Sequence, residues 1–99
     1  MYIANVKYKV ALERVDTYLD AHRAFLDRHF AAGELIATGP QDPREGGVII
    51  LRDMAPARVQ EILDEDPFRQ NGIADYSVTR CHLTKFADEM TRGALSDND

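Results

Sequence analysis

The sequence contains almost no cysteine: Cys81 is the single one in 99 residues. One cysteine cannot form an intrachain disulfide, and it leaves no cysteine cluster for structural zinc. This usage fits a reducing compartment. We interpret Cys81 as a small residue of a strand.

Long apolar stretches are also absent. A run such as Val48–Leu51 is far shorter than the ~20 residues that a membrane-spanning helix needs. The start of the chain shows no charged segment followed by an apolar one and a small-residue cleavage site. We therefore expect no membrane association and a cytoplasmic location.

An excess of positive charge is absent: 12 lysines and arginines stand against 17 acidic residues, and the formal net charge is -5. Residues 88–99 contribute -3 of this and the remainder -2, so the body of the chain is nearly balanced. No predicted helix or face concentrates lysine and arginine, which argues against binding of nucleic acid through its phosphates.

Several sequence signatures of cofactors and nucleophiles are missing. The chain has no GxGxxG, GxxxxGK[ST], HExxH or GxSxG motif. The sequence therefore gives no support to a nucleotide cofactor or a serine nucleophile, and we predict no cofactor. Its three histidines could bind a metal only with ligands from elsewhere, so we predict no metal site.

The first third of the chain shows the apolar pattern of a half-buried strand, followed by that of an amphipathic helix. Tyr2 to Lys9 alternates apolar and polar side chains, which predicts a first strand. From Leu12 the apolar residues recur with helical spacing, and no glycine or proline interrupts them before Gly33. We predict one long helix that ends at a glycine C-cap.

The remaining pattern predicts a hairpin, a short helix and a last strand. The segments are, in order, Leu35–Thr38, Val48–Leu51, a helix from Pro56 to Asp66, and Tyr76–Leu83. We predict one domain over residues 1–86 and a tail over residues 87–99 that forms a frayed helix or is disordered.

The order β-α-β-β-α-β predicts an α+β fold of ferredoxin-like type. Short right-handed connections give a four-stranded antiparallel sheet with both helices on one face. The other face would be an uncovered apolar surface, so we expect a second copy of the chain to cover it and form a homodimer.

Two histidines fall within the apolar half of the long helix. On a helical wheel Leu12, Val15, Leu19, Leu26 and Phe30 share that half with His22 and His29. A desolvated imidazole needs a partner for its ring N–H. For His22 the partner is either a backbone carbonyl of the core or an acid in a functional site. For His29 we favour the last helix carbonyls, and we interpret His82 as structural.

Asp66 is the candidate acid, because it precedes Pro67 at the end of the second helix. It either caps the next turn or orients His22 for acid–base catalysis. Tyr8, Thr38, Gly39 and Phe68 are candidates for a substrate pocket. Each also has a structural interpretation: Tyr8 as sheet packing, and Thr38 with Gly39 as a strand-ending turn.

Arg44 lies in the loop of the predicted hairpin. It is a candidate contact for an anionic substrate, and a solvated loop arginine is the structural alternative.

Four segments together resemble the YciI-like, YCII-related family: Ala21–Leu26, Ala32–Pro40, Gly46–Ile50 and Asp66–Phe68. The resemblance covers residues 2–86. It implies a dimeric α+β barrel and a pocket with a paired histidine and aspartate, which correspond to His22 and Asp66. Thr38 stands where many relatives carry serine, and it keeps the hydroxyl. Some relatives are linked to dehydrochlorination, and we do not transfer that substrate.

Three functions remain open at this point. The first is a cofactor-independent lyase or isomerase in which His22 moves a proton on a small cyclic or aromatic substrate. The second is a non-catalytic ligand-binding or accessory domain. The third is a cofactorless oxygenase, which consumption of dioxygen with phenolic substrates would reveal.

Overall fold

The computed structural model describes residues 1–87, which form four strands and four helices. The elements are, in chain order, β1 (Tyr2–Tyr8), α1 (Leu12–Thr17), α2 (Leu19–Ala31), β2 (Leu35–Pro40), β3 (Gly46–Leu51), α3 (Pro56–Asp64), α4 (Pro67–Gln70) and β4 (Ala74–Arg80).

The strands form one antiparallel sheet in the order β2-β3-β1-β4. This confirms the predicted α+β architecture with a four-stranded antiparallel sheet. The two strands that are most distant in sequence, β1 and β4, lie side by side. The last strand therefore pairs directly with the first.

Alternation along β1 sets which face of the sheet carries the core. Tyr2, Ala4 and Val6 are buried beneath the helices, together with Ile49 and Leu51 of β3. The helices contribute the rest of the core, which includes Val15, Phe25, Val59, Ile62, Leu63 and Phe68. Burial of this apolar surface is the main favourable contribution to folding.

The single long helix predicted from Leu12 to Gly33 is wrong in one respect, because the chain breaks at Tyr18. Tyr18 has φ -107° and ψ 6°, outside the helical region, and it separates α1 from α2. The side chains that are buried lie toward one edge of the predicted apolar half. Phe25 is fully buried, whereas Leu12 and Phe30 are 44% and 38% exposed. Gly33 ends this region with a positive φ of 73°, as a glycine C-cap requires.

The last strand begins and ends earlier than the pattern predicts. The short helix α4 follows Asp66 directly, and Gly72 turns the chain with φ 65° so that β4 starts at Ala74. It ends at Arg80, so Cys81, His82 and Leu83 lie beyond the strand. The predicted tail lies almost entirely outside the described residues.

The paired glycines of β3 permit two close backbone approaches. A Cβ atom on Gly46 would lie 1.9 Å from the carbonyl oxygen of Val6, and one on Gly47 would lie 2.6 Å from that of Gly39. Any side chain would force these strands apart.

In residues 1–87, no helix is both long and apolar enough to cross a lipid bilayer.

Candidate active site

A cavity of about 530 Å³ lies between α2 and the sheet, within the size range of small-molecule sites. Its walls come from five elements and the β2–β3 loop. The lining residues are Val6, Tyr8, Leu19, His22, Arg23, Leu26, Asp27, Phe30, Thr38, Gly39, Pro40, Arg44, Gly47, Val48, Ile49 and Phe68. Most of these side chains are apolar or aromatic. All six predicted site residues except Asp66 are among them.

The structure brings His22 and Asp66 into direct contact. His22 Nδ1 lies 2.8 Å from Asp66 Oδ1, although 44 residues separate the two in the chain. The second turn of α2 carries His22, and Asp66 is the N-cap of α4. The aspartate side chain is fully buried, whereas 12% of the histidine side chain is exposed. The pair therefore joins the core to the cavity wall.

Asp66 accepts hydrogen bonds from three donors. Besides His22, the backbone N–H of Phe68 donates to Oδ1 at 3.0 Å, and the Tyr76 hydroxyl donates to Oδ2. A buried carboxylate is costly unless such donors compensate it. Burial, and then the charge of Asp66, raises the pKa of Tyr76, so that residue stays a donor over the whole physiological range.

Aromatic rings fix the plane of the His22 imidazole. The ring stacks on Phe68 with centroids 4.0 Å apart and an interplanar angle of 6°. Tyr8 meets the same phenyl ring edge-on at 5.9 Å. A carboxylate acceptor holds the proton on Nδ1, which leaves Nε2 as the nitrogen that a bound molecule could reach. Among residues 1–87, no group hydrogen-bonds that Nε2.

The other predicted pocket residues also line the cavity, and two have protein partners. The Thr38 hydroxyl donates to the Val48 carbonyl at 2.9 Å, so it offers a ligand only an acceptor oxygen. Arg44 contacts Asp16 at 2.6 Å, and its guanidinium lies 5.8 Å from the centre of the Tyr8 ring. Arg44 is thus placed at the cavity, and not free in solvent as the structural alternative supposed.

Sequence reasoning missed Tyr76, which was interpreted only as a strand-forming aromatic. Its place opposite Val6 in the register shows that it faces the helices. The alternation of β1 and β4 could have suggested this orientation, but nothing local indicates that its hydroxyl reaches Asp66.

The two other histidines have different surroundings. His29 is buried and contacts the carboxylates of Glu34 and Glu65, not the helix carbonyls that we expected. His82 is exposed and lies after β4. The described part of the chain contains no cluster of three or more histidine, cysteine, aspartate or glutamate residues arranged to hold a metal ion.

Comparison with protein families matches the YCII-related domain over residues 1–82. The chain belongs to the YCII-related domain family. The predicted resemblance is therefore confirmed. The matched region contains β1 to β4, the cavity and the His22–Asp66 pair of this YCII-related domain. A search of curated proteins finds no significant match.

A solved structure shares the fold of this YCII-related domain. It is 5-chloro-2-hydroxyhydroquinone dehydrochlorinase (TftG) from Burkholderia phenoliruptrix, in complex with 2,5-dihydroxybenzoquinone. The TM-score is 0.68 and the sequence identity 20%, and the match covers 83% of this chain and 94% of the other. At this identity the likeness establishes the fold alone.

Proposed function

We propose that this YCII-related domain is a cofactor-independent enzyme that transfers a proton on a small cyclic or aromatic substrate, in a lyase or isomerase reaction. The observation that carries the proposal is the 2.8 Å contact between His22 Nδ1 and Asp66 Oδ1 at the wall of a cavity. His22 would be the acid–base group, and Asp66 would orient it.

The proposed chemistry follows from the tautomer that Asp66 selects. Neutral His22 with its proton on Nδ1 has a lone pair on Nε2, which takes a proton from substrate carbon or oxygen. The buried Asp66 carboxylate then stabilises the imidazolium. In an isomerisation His22 returns the proton to a different substrate atom, and in an elimination a leaving group departs with the electron pair.

The cavity walls support a flat substrate. Tyr8, Phe68 and Phe30 offer aromatic surface, and Ile49 and Leu26 offer aliphatic surface. Thr38 and Gly39 would contact the substrate from β2. Arg44 would lie near any negative charge of the substrate. The dehydrochlorinase with the same fold binds a dihydroxybenzoquinone, a small ring that agrees with such a cavity.

The test is a turnover screen with cyclic enols, cyclic ketones and halogenated phenols, followed by NMR of the products. His22→Gln should lower kcat by about a hundredfold or more, the usual contribution of a general base. Circular dichroism should show an unchanged fold. His82→Gln, which removes an exposed histidine far from the cavity, is the matched control. Full activity of His22→Gln would rule out His22 as the acid or base.

A second candidate is a non-catalytic ligand-binding or accessory domain. Asp66 caps α4 through Phe68 N–H and binds α2 through His22, so the pair has a structural role in any case. If the pair is only structural, His22→Ala lowers the melting temperature by several degrees, through loss of about 1 to 3 kcal/mol, and no compound in the screen is turned over.

We further propose that the protein is a cytoplasmic homodimer. The lone cysteine supports a reducing location. The sheet face opposite the helices supports the dimer, because it carries Ile3 and Ile50 without a covering element in residues 1–87.

A further inference from the structure

A second histidine–carboxylate pair lies next to the first. His29 follows His22 by two turns of α2, and its Nε2 lies 3.0 Å from Glu65 Oε1. Glu65 is the C-cap of α3 and immediately precedes Asp66 in the chain. Two histidines on one face of α2 therefore bind two consecutive carboxylates of the α3–α4 junction, which we define as residues 65–66.

The buried ring of Phe25 fills the space between the two histidines. Its centroid lies 5.0 Å from that of His29 and 6.1 Å from that of His22. The junction thus has two polar attachments to α2, with a packed aromatic ring between them. A junction with two attachments cannot rotate about either one.

Hydrogen-bond counting shows which form of His29 satisfies both of its contacts. Its Nδ1 also lies 2.8 Å from Glu34 Oε1, so each ring nitrogen faces a carboxylate oxygen. An ionised carboxylate only accepts, and neutral imidazole has a single N–H. Both contacts are satisfied together only when His29 is an imidazolium.

The neighbouring charges determine which contact is weaker. Arg58 of α3 binds Glu34 through two nitrogens, at 2.8 and 3.1 Å, and also lies 3.3 Å from Glu61. Arg58, and to a smaller degree His29, lowers the pKa of Glu34. Glu34 therefore keeps a cationic partner whatever the state of His29. The Glu65 side chain is about half exposed, and His29 is the donor that the structure gives it, so its contact is the weaker one.

We propose that His29 and Glu65 are positioning residues for the His22–Asp66 pair. Charged His29 holds Glu65, and Glu65 holds the adjoining Asp66 carboxylate on His22 Nδ1. Without the His29–Glu65 contact, the His22–Asp66 contact is the remaining hydrogen bond that these side chains give the junction to α2. The catalytic meaning of this arrangement rests on the proposed function, but the geometry does not.

The test needs no substrate, because NMR of the ¹⁵N-labelled full chain reports the state of each imidazole nitrogen. From the contacts we expect protons on both ring nitrogens of His29 and on Nδ1 of His22. In Glu65→Ala the His22 Nδ1 proton should exchange with water at least about tenfold faster, because one charged hydrogen bond no longer restrains the junction. Unchanged exchange would overturn the proposal.

Arg58→Gln is the matched control, since it removes the ion pair between Arg58 and Glu34 and leaves the contact between His29 and Glu65 intact. It should lower the melting temperature without changing exchange at His22. Equal acceleration in Arg58→Gln and Glu65→Ala would show that the cluster only stabilises the fold, and would also overturn the proposal.

Wild-type protein gives an independent measurement. The His29 Nε2 proton should be protected from exchange with water, as the His22 Nδ1 proton is, and an unprotected His29 proton would contradict its contact with Glu65. Because these experiments measure geometry and not turnover, the positioning role and the proposed enzymatic function can fail separately.

Discussion

Asp66 is the residue on which the candidate site depends most, since a charge with no exposed surface needs all of its donors. His22, the Phe68 N–H and the Tyr76 hydroxyl supply them. Each donor comes from a different element, so the carboxylate connects α2, α4 and β4. Loss of any one donor affects both stability and the orientation of His22.

Tyr76→Phe tests this dependence at one atom. The variant keeps the ring and removes the hydroxyl that donates to Asp66, so it should lose about 1 to 3 kcal/mol of unfolding free energy near pH 7. Urea denaturation followed by circular dichroism measures the difference. A variant as stable as wild type would show that Asp66 does not need this donor.

The pH dependence of the same pair has a definite sign. The pKa of folded Tyr76 is raised above its ordinary value of 10.0, so unfolded Tyr76 ionises first as the pH rises. The stability that Tyr76 contributes is complete below pH 10.0 and falls above it. The difference in unfolding free energy between wild type and Tyr76→Phe should therefore decrease in denaturation series above that pH. A difference that stays constant would contradict the burial of Tyr76.

Prediction of individual residues succeeded where a pattern marked them. His22 stands out as a polar residue in an apolar helical half, and Asp66 stands out before Pro67. Their contact could not be derived from either pattern, because it depends on how α2 packs against the α3–α4 junction. From the residues the pairing was one of two alternatives for Asp66, and the family resemblance is what implied it. Tyr76 had no marker at all, since its strand propensity says nothing about a hydroxyl partner.

At the scale of elements, a cluster of three side chains connects the end of α2, the residue before β2, and α3. These side chains are His29, Glu34 and Arg58. The prediction of which half of the long helix is apolar was only partly correct. The break at Tyr18 has no glycine or proline that would predict it, and Phe25 is fully buried although Leu12 and Phe30 are exposed. Strand alternation was more reliable, because β1 is paired on both sides and its register is fixed by the core.

Glu34→Gln probes the cluster through acid stability. Arg58 lowers the pKa of folded Glu34 below its ordinary value of 4.5, so its contribution is present above pH 4.5 and is lost as the pH falls through the folded value. We expect the variant to be about 1 to 3 kcal/mol less stable at neutral pH and equal to wild type in strong acid.

Thermal melts across this pH range measure the difference. Glu61→Gln is the control. The Glu61 carboxylate also contacts Arg58, but its side chain is mostly exposed, so its loss should change the stability little. A Glu34→Gln deficit that persists undiminished in strong acid would show that the charge of Glu34 is not its cause.

Gly46→Ala tests the close approach of β1 and β3. The added methyl would lie 1.9 Å from the Val6 carbonyl oxygen, a distance that requires the two strands to separate. Overpacking of this kind costs about 1 to 3 kcal/mol or more. Gly39→Ala is the matched control, because no atom beyond its chain neighbours lies within 4 Å of the place that its methyl group would take. Equal melting temperatures for the two variants would contradict the description of this contact.

At the scale of the whole molecule, residues 1–87 leave one face of the sheet without helices. The residues between the buried ones of β1 and β3 point to that face, among them Ile3 and Ile50. Short connections and strand order made the architecture predictable from the sequence. The occupant of the open face is not fixed by that topology, so the dimer stays a prediction.

Ile50→Lys tests the dimer. A charge in the centre of the open face should convert a homodimer to a monomer, because a buried unpaired charge is strongly unfavourable. Light scattering after size-exclusion chromatography gives the mass of wild type and variant. Ala24→Lys, on the exposed side of α2, should keep the wild-type mass. A wild-type protein that is monomeric at high concentration would refute the interface.

The central claim is that His22 offers an accessible Nε2 to the cavity while Asp66 holds its Nδ1. Carbethoxylation with diethyl pyrocarbonate, mapped by mass spectrometry, tests it most directly because the reagent needs a free imidazole nitrogen. We predict modification of His22 and of exposed His82, and none of His29, whose nitrogens both face carboxylates. If His22 stays unmodified while His82 reacts completely, the imidazole is sealed and the catalytic proposal is wrong.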